Sequence, residues 1–175
     1  IQDYSTINNY KLYFDGYLGN YYLVLLFPEV FSYELFETYL PETIWDSSQL
    51  SSMTDYESVF GRKYYAEITA GGYYSARLGI LEHLRRVKKQ ACALVLRFIT
   101  SEYDTPLGVW VTREATRKAM RNLVLNFSNK EELLLNARSF VLERFGYDIS
   151  SIIKSSKLLK SLNQRKLSQF FNFTS

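Results

Sequence analysis

The run YYLVLLF at Tyr21–Phe27 carries no charge and is cut off by Pro28. A short unbroken stretch of rings and aliphatics bounded by a proline reads as a buried strand. Burying it requires a sizeable core around it, and the chain can provide one. It has 175 residues, of which 47% are apolar and 17% aromatic, enough for one domain with a ring-rich interior. Fifteen of the rings are tyrosines, so many hydroxyls must reach water or a buried partner, and a surface or groove lined with phenols is expected.

Around that strand the pattern reads as mostly helical. In PEVFSYELFETYLPETIW, Phe31, Leu35, Phe36 and Leu40 recur at helical spacing with Glu29, Glu34 and Glu37 off that face. This predicts a short amphipathic helix stopped by Pro41. Residues 46–59 are polar, Ser-rich and without period, which predicts a loop. From about Tyr73 the stripe Ala76, Ile80, Leu84, Val87, Ala91, Leu94 and Phe98 predicts one long helix. A second, basic helix is expected over GVWVTREATRKAMRNLVLNF, after the turn at Pro106, Leu107 and Gly108. Ser128 with Glu131 predicts a capping box for KEELLLNARSFVLERF, which Gly146 ends, and Asp148 is positioned to cap a last helix, ISSIIKSSKLLKSL. The expected fold class is α+β, predominantly helical, with a short strand-containing N-terminal part and a flexible C-terminal tail. Residues 1–160 would form one domain and residues 161–175 the tail. Beginning at Ile1 rather than Met, the chain is expected to be part of a longer protein.

Composition removes several kinds of chemistry. One cysteine, Cys92, rules out an internal disulfide and a Cys-based metal site, and suits an intracellular setting. A single histidine, His83, rules out a Cys/His zinc cluster and the H-E-x-x-H pattern, and it reads as a helix-surface residue rather than a catalyst. No metal site is expected. No apolar run reaches the ~18 residues of a membrane span, and the start lacks the basic and apolar segments of a signal peptide.

The net charge of +3 is unevenly spread. Residues 1–73 hold three bases and ten acids, giving −7; residues 74–127 hold ten bases and four acids, giving +6. Such a split speaks to partners: the basic part either meets phosphate or covers the acidic N-terminal half. Arg113, Arg117 and Arg121 recur every four residues, stacking three guanidinium groups on one face where they could span successive phosphates of a nucleic acid, unless carboxylates neutralise them. Gly71 and Gly72 precede the long helix, with Tyr73 and Arg77 in its first turns and Arg62 and Lys63 upstream. Backbone freedom and unpaired helix N–H groups there could form a phosphate-sized pocket around Arg62, Gly71, Gly72 and Arg77. The alternative is a plain Gly-Gly turn with Tyr73 and Tyr74 packed on the core. Tyr73 and Tyr74 could also act as base-stacking platforms. Were the chain an enzyme on nucleic acid or a nucleotide, Arg62, Tyr65, Tyr73, Arg77, Glu82, Arg113 and Glu114 would be its candidates. Glu82 lies five residues after Arg77, off its face, and reads better as a surface residue paired with Arg85 or Arg86.

The chain ends in QRKLSQFFNFTS, where Gln164, Leu167, Phe170 and Phe171 fall as Q-x-x-L-x-x-F-F. One tight turn brings the Leu and both Phe rings to one side as an apolar plug, with the Gln amide able to reach a polar pocket beside it. This spacing resembles the PCNA-interacting peptide, by which replication and repair proteins tether themselves to the DNA sliding clamp. The alternative is an amphipathic helix folded back on the core with Phe170, Phe171 and Phe173 inside it.

The middle of the chain points the same way. The motifs GR-x-x-Y (Gly61, Arg62, Tyr65), GGYY-x-AR (Gly71 to Arg77), LE-x-L (Leu81, Glu82, Leu84) and PLGVW-x-x-RE (Pro106 to Glu114), together with the QRKLSQFF end, resemble the archaeal Nre proteins. The resemblance implies a DNA-damage response role, recruitment to the sliding clamp (PCNA), DNA as a partner, and a chromosome-associated place in the archaeal cytoplasm. It also implies a longer chain with a Cys-rich metal-binding element that this sequence lacks, so a C-terminal portion is expected. The expected function is a clamp-recruited DNA repair factor with a basic helical face on DNA. The other readings are an enzyme with a site near Arg62, Tyr73 and Arg77, or a scaffold whose basic face is neutralised internally. No cofactor and no oligomeric state is indicated.

Overall fold

The computed structural model describes residues 1–40, 52–103 and 108–171, with side chains through residue 164. Six strands, β1 (Tyr10–Tyr17), β2 (Asn20–Phe27), β3 (Tyr33–Tyr39), β4 (Met53–Glu57), β5 (Cys92–Ile99) and β6 (Leu123–Phe127), form one sheet in the order β4-β3-β5-β2-β1-β6. All neighbours are antiparallel except β3 and β5, which run parallel. The helices are α1 (Ala70–Val87), α2 (Val109–Ala119), α3 (Lys130–Phe145), α4 (Ser150–Ser155) and α5 (Lys157–Phe171).

The buried run explains the architecture. Successive side chains of a strand point to opposite faces, so an apolar run needs cover on both. In β2, Tyr22, Val24 and Leu26 join a core completed by Tyr73, Ala76, Ile80 and Leu84 of α1 and Ala115 and Ala119 of α2. Leu23, Leu25 and Phe27 join a second core completed by Leu133, Ala137 and Val141 of α3, Ile152 of α4 and Leu158, Leu159 and Leu162 of α5. The result is three layers, helices over each face of a mixed sheet.

The fold is therefore not predominantly helical, and the expectation is corrected at three places. The amphipathic helix expected around residues 31–40 is β3. Its glutamates looked like solvent positions, yet both are buried with partners. Glu37 pairs with Arg97 at 2.6 Å, and Glu34 accepts the Ser156 hydroxyl at 2.5 Å and the Leu158 N–H at 3.0 Å. The long helix expected from Tyr73 to Phe98 ends at Val87, where Lys88 adopts a left-handed φ of 50°. CALVLRFI then forms β5, buried at every position. A run apolar at every position satisfies any period, which is why the helical stripe seemed to continue through it. The basic helix stops at Ala119, and LVLNF forms edge strand β6 beside β1.

Smaller differences follow. Within the expected loop over 46–59, Met53–Glu57 is β4; residues 46–51 lie outside the described residues, as do Pro41, Pro106 and Leu107. The cap of α3 is Asn129, which accepts Glu132 N–H at 2.8 Å, one residue beyond the predicted box. Asp148 accepts Ser150 N–H at the start of α4, but the last helix is two helices, broken at Ser156. Glu34 lies at that break, and a carboxylate there matches the positive end of the α5 dipole. The segment read as a tail beyond residue 160 continues α5 through Phe171.

Candidate nucleic-acid interface

Two cationic regions lie along α1. At its start the β4–α1 connection, residues 58–69, is tied down chiefly by the Arg62 guanidinium and the Asp55 carboxylate. Arg62 donates to the carbonyls of Tyr56, Tyr64 and Tyr65 at 3.0–3.1 Å and to Asp55 at 3.1 Å. Asp55, 8% exposed, also accepts Ile68 N–H, Thr69 N–H and the Thr69 hydroxyl at 2.7–3.0 Å. Burial alone would raise the Asp55 pKa, but the Thr69 donors and Arg62 outweigh it and hold the carboxyl below its usual range. Beside this network, Arg77 grips Glu57 with both arms at 2.7 Å, and Tyr73, fully buried, donates its hydroxyl to the same carboxylate at 3.3 Å. Burial and the Glu57 charge raise the Tyr73 hydroxyl far above its usual pKa, so it stays protonated. The Arg62 guanidinium lies 5.0 Å from the centre of the Tyr73 ring.

The residues foreseen here as one phosphate pocket occupy different environments. Arg62 and Arg77 are each held by a carboxylate and Tyr73 is in the core. Gly71 faces open space. Gly72 is pressed on the sheet so closely that a Cβ would overlap the Glu37 carboxylate and stand 3.0 Å from Arg97. Its glycine therefore serves close packing of α1 over the buried Glu37–Arg97 pair. A cleft of about 710 Å³ opens on the outer side of the Arg77–Glu57 pair, between α1 and the β4–α1 connection.

The second region lies between α1 and α2. Arg117 is bound by both oxygens of Glu82 at 2.6–2.7 Å and by Glu114 at 2.6 Å, so Glu82 serves α2 and not Arg85 or Arg86. Those carboxylates raise the Arg117 pKa further. Arg113 stands 3.6 Å from Glu114, while Lys118 turns to Asp15 at 3.2 Å. Arg121, placed past the helix end, is exposed and has no carboxylate partner among the described residues. The three-rung ladder is thus two helical rungs and one turn residue, and the acids that pair with the two helical rungs, Glu82 and Glu114, come from α1 and α2 themselves.

His83, read from the sequence as a helix-surface residue rather than a catalyst, lies half-buried on this face. His83 lines a cleft of about 250 Å³ with Arg86, Arg117 and Arg121, and accepts a hydrogen bond from Arg86 on Nδ1 at 3.0 Å. Burial first, then Arg86 and Lys11, push its pKa down to about 4, so the ring is neutral near pH 7. Four guanidiniums, of Arg86, Arg113, Arg117 and Arg121, meet two carboxylates, Glu82 and Glu114, leaving two positive charges unbalanced. The signal available in the sequence was the i,i+3 spacing of His83 and Arg86 on a helix whose neighbour is also basic.

Of the docking residues, Gln164 is exposed on α5, and the side chains of Leu167, Phe170 and Phe171 lie outside the described residues, as does Phe173. Among the described residues no helix is long and apolar enough to cross a membrane, and no group of His, Cys, Asp and Glu side chains is arranged to hold a metal ion.

Comparison with known proteins identifies the chain's relatives. DNA repair protein NreB of Archaeoglobus fulgidus is 36% identical over 171 residues, covering 97% of this chain and 42% of that protein. DNA repair protein NreA of Haloferax volcanii is 36% identical over 118 residues, covering 66% of this chain and 28% of that protein. NreA of Archaeoglobus fulgidus is 34% identical over 137 residues, 78% of this chain and 35% of that protein. The chain therefore spans less than half the length of these relatives. No solved structure matches it. The family model for the N-terminal region of archaeal Nre matches residues 1–46 and that for the C-terminal region matches residues 57–170. The first holds β1 to β3 and the second α1 onward, so the expected C-terminal portion reaches into the N-terminal region, and one sheet joins the two. By both matches and by its identity to NreA and NreB, this chain belongs to the archaeal Nre family.

Proposed function

We propose that this chain is the part of a DNA repair protein that tethers it to the sliding clamp and presents a basic face to DNA. The observation that carries the reading is Q-x-x-L-x-x-F-F at Gln164, Leu167, Phe170 and Phe171, at the end of a helix whose chain holds no acid after Asp148. Relatives named as DNA repair proteins support the repair role. Tethering raises the local concentration on DNA, so weak intrinsic affinity suffices. On the α1–α2 face, Arg121 and Arg86 have no carboxylate partner among the described residues, and Arg113 stands beside them as a weakly paired third. They reach phosphates, while Arg117 holds α1 to α2.

Calorimetric titration into the sliding clamp of the same source tests the tether. The intact protein binds near micromolar and a Phe170→Ala/Phe171→Ala variant does not. Equal binding by both, or none by either, would overturn it.

A further inference from the structure

The β4–α1 connection combines two properties that rarely coincide. Its backbone is pinned by Arg62, Asp55 and the Tyr74 hydroxyl, which accepts Ala66 N–H at 2.8 Å. Yet Tyr64 and Tyr65 stand 81% and 83% exposed. Unconstrained loops leave rings out by default; here ordered anchors hold them out, as a preorganised binding surface requires. Tyr65 lies edge-on to Tyr74, with centroids 6.0 Å apart. Two adjoining clefts, of about 430 and 360 Å³, share Arg62, Lys63 and Tyr64. The first is walled by Tyr65 and Tyr74, and the second reaches Lys157 at the start of α5. Neither the Lys63 nor the Lys157 ammonium has a carboxylate partner among the described residues, although the Lys157 backbone N–H donates to Glu34, and Glu67 is the only acid of the connection.

Exposed phenols interleaved with unpaired ammonium groups are what a single nucleic-acid strand requires. Each base offers a face to a ring, and each phosphate a charge to a lysine, without demanding a sequence. A duplex keeps its bases stacked inward and cannot use the rings. We propose that Tyr64 and Tyr65, flanked by Lys63 and Lys157, form a binding track for single-stranded DNA with unstacked bases. This surface is separate from the Arg86–Arg121 face and from the clamp peptide, although Lys157 opens the helix that carries that peptide.

Fluorescence anisotropy with the full chain tests this, using a labelled dT12 strand and a strand of equal length lacking bases. The wild type is expected to bind dT12 about tenfold or more tightly than the abasic strand. Tyr64→Ala/Tyr65→Ala, which removes exposed rings and leaves the Arg62 anchors intact, should erase that preference while leaving duplex binding unchanged. Lys63→Ala should lower the slope of log affinity against log salt by about 0.7, one phosphate's worth for a single strand. Competition with thymidine monophosphate separates a site for free nucleotide from one for a strand: the monophosphate should compete only weakly. Equal binding of both strands by the wild type, a preference that survives loss of both rings, or no binding at all would overturn the proposal, as would a monophosphate that displaces dT12 at equal concentration. Clamp binding is read separately by the Phe170/Phe171 titration, so either reading can fail alone.

Discussion

The two cationic regions of α1 use arginine in opposite ways. At the start of the helix, Arg77 and Arg62 turn to Glu57 and Asp55, carboxylates 7% and 8% exposed, and knit the connection to the sheet. At its other end, Arg117 takes two half-exposed carboxylates while Arg86 and Arg121 keep their charge open. The same residue type thus serves as a structural staple where its partner is buried and keeps an open charge, available to the proposed phosphate contact, where the acids run short. Counting charges along the chain does not separate these cases, because the acids that decide it come from other elements.

The largest effect should follow from breaking the buried end of this contrast. Glu57→Gln leaves Arg77 without its carboxylate and should cost about 3 kcal/mol, read as a lower urea midpoint at an unchanged slope. Glu114→Gln, at the other end, should cost under about 1 kcal/mol because its pair is solvated. A similar loss from both would mean that the regions do not differ in kind.

Next comes Gly72→Ala, where the added methyl has no space beside Glu37 and Arg97. A cost of about 2 kcal/mol is expected, with little at Gly71→Ala, where the space is open and a helix interior favours alanine. If the two substitutions cost the same, Gly72 is not pressed on the pair.

His83 sharpens the comparison from the electrostatic side. Its folded pKa, about 4, lies below the ordinary value of about 6.5. A depressed group of this kind contributes stability that is present above pH 6.5 and lost as pH falls toward 4, because the unfolded chain binds the proton first. Stability should drop by on the order of 2 kcal/mol across that window, and His83→Gln should flatten it. Duplex DNA bound on this face would offset Arg86 and Lys11 and raise the His83 pKa, which ring-proton NMR would follow; an unmoved titration would place the DNA elsewhere.

The smallest effects distinguish the rungs. Arg121→Ala should leave stability nearly unchanged while lowering the salt slope of duplex binding by about 0.9. Arg117→Ala should cost up to about 1 kcal/mol of stability and leave the slope unaltered. The reverse pattern would make Arg117 the phosphate contact.

Some of this could be read from residue order alone. YYLVLLF announced a buried strand because an apolar run of strand length, rich in rings and branched residues and closed by a proline, is too short for a typical buried helix, and Gly146 announced the end of α3, where its φ is 65°. The motifs around Gly61, Gly71 and Pro106 carried the family resemblance, and the Gln164–Phe171 spacing carried the clamp reading, since both are local patterns. Helix against strand was legible where length and bounding residues agreed with the pattern, and misread where a helical spacing arose by chance or within a continuous apolar run. CALVLRFI is such a run, and β3 carries two glutamates whose partners, Arg97 and the start of α5, lie 60 and about 120 residues away. The tertiary structure alone decided which arginines are spent inside the molecule, that Glu82 belongs to Arg117, that His83 sits among uncompensated cations, and that Tyr64 and Tyr65 are held outward. Each depends on groups brought together from distant positions, and burial, which sets the strength of every charge among them, is a property of the fold rather than of any segment.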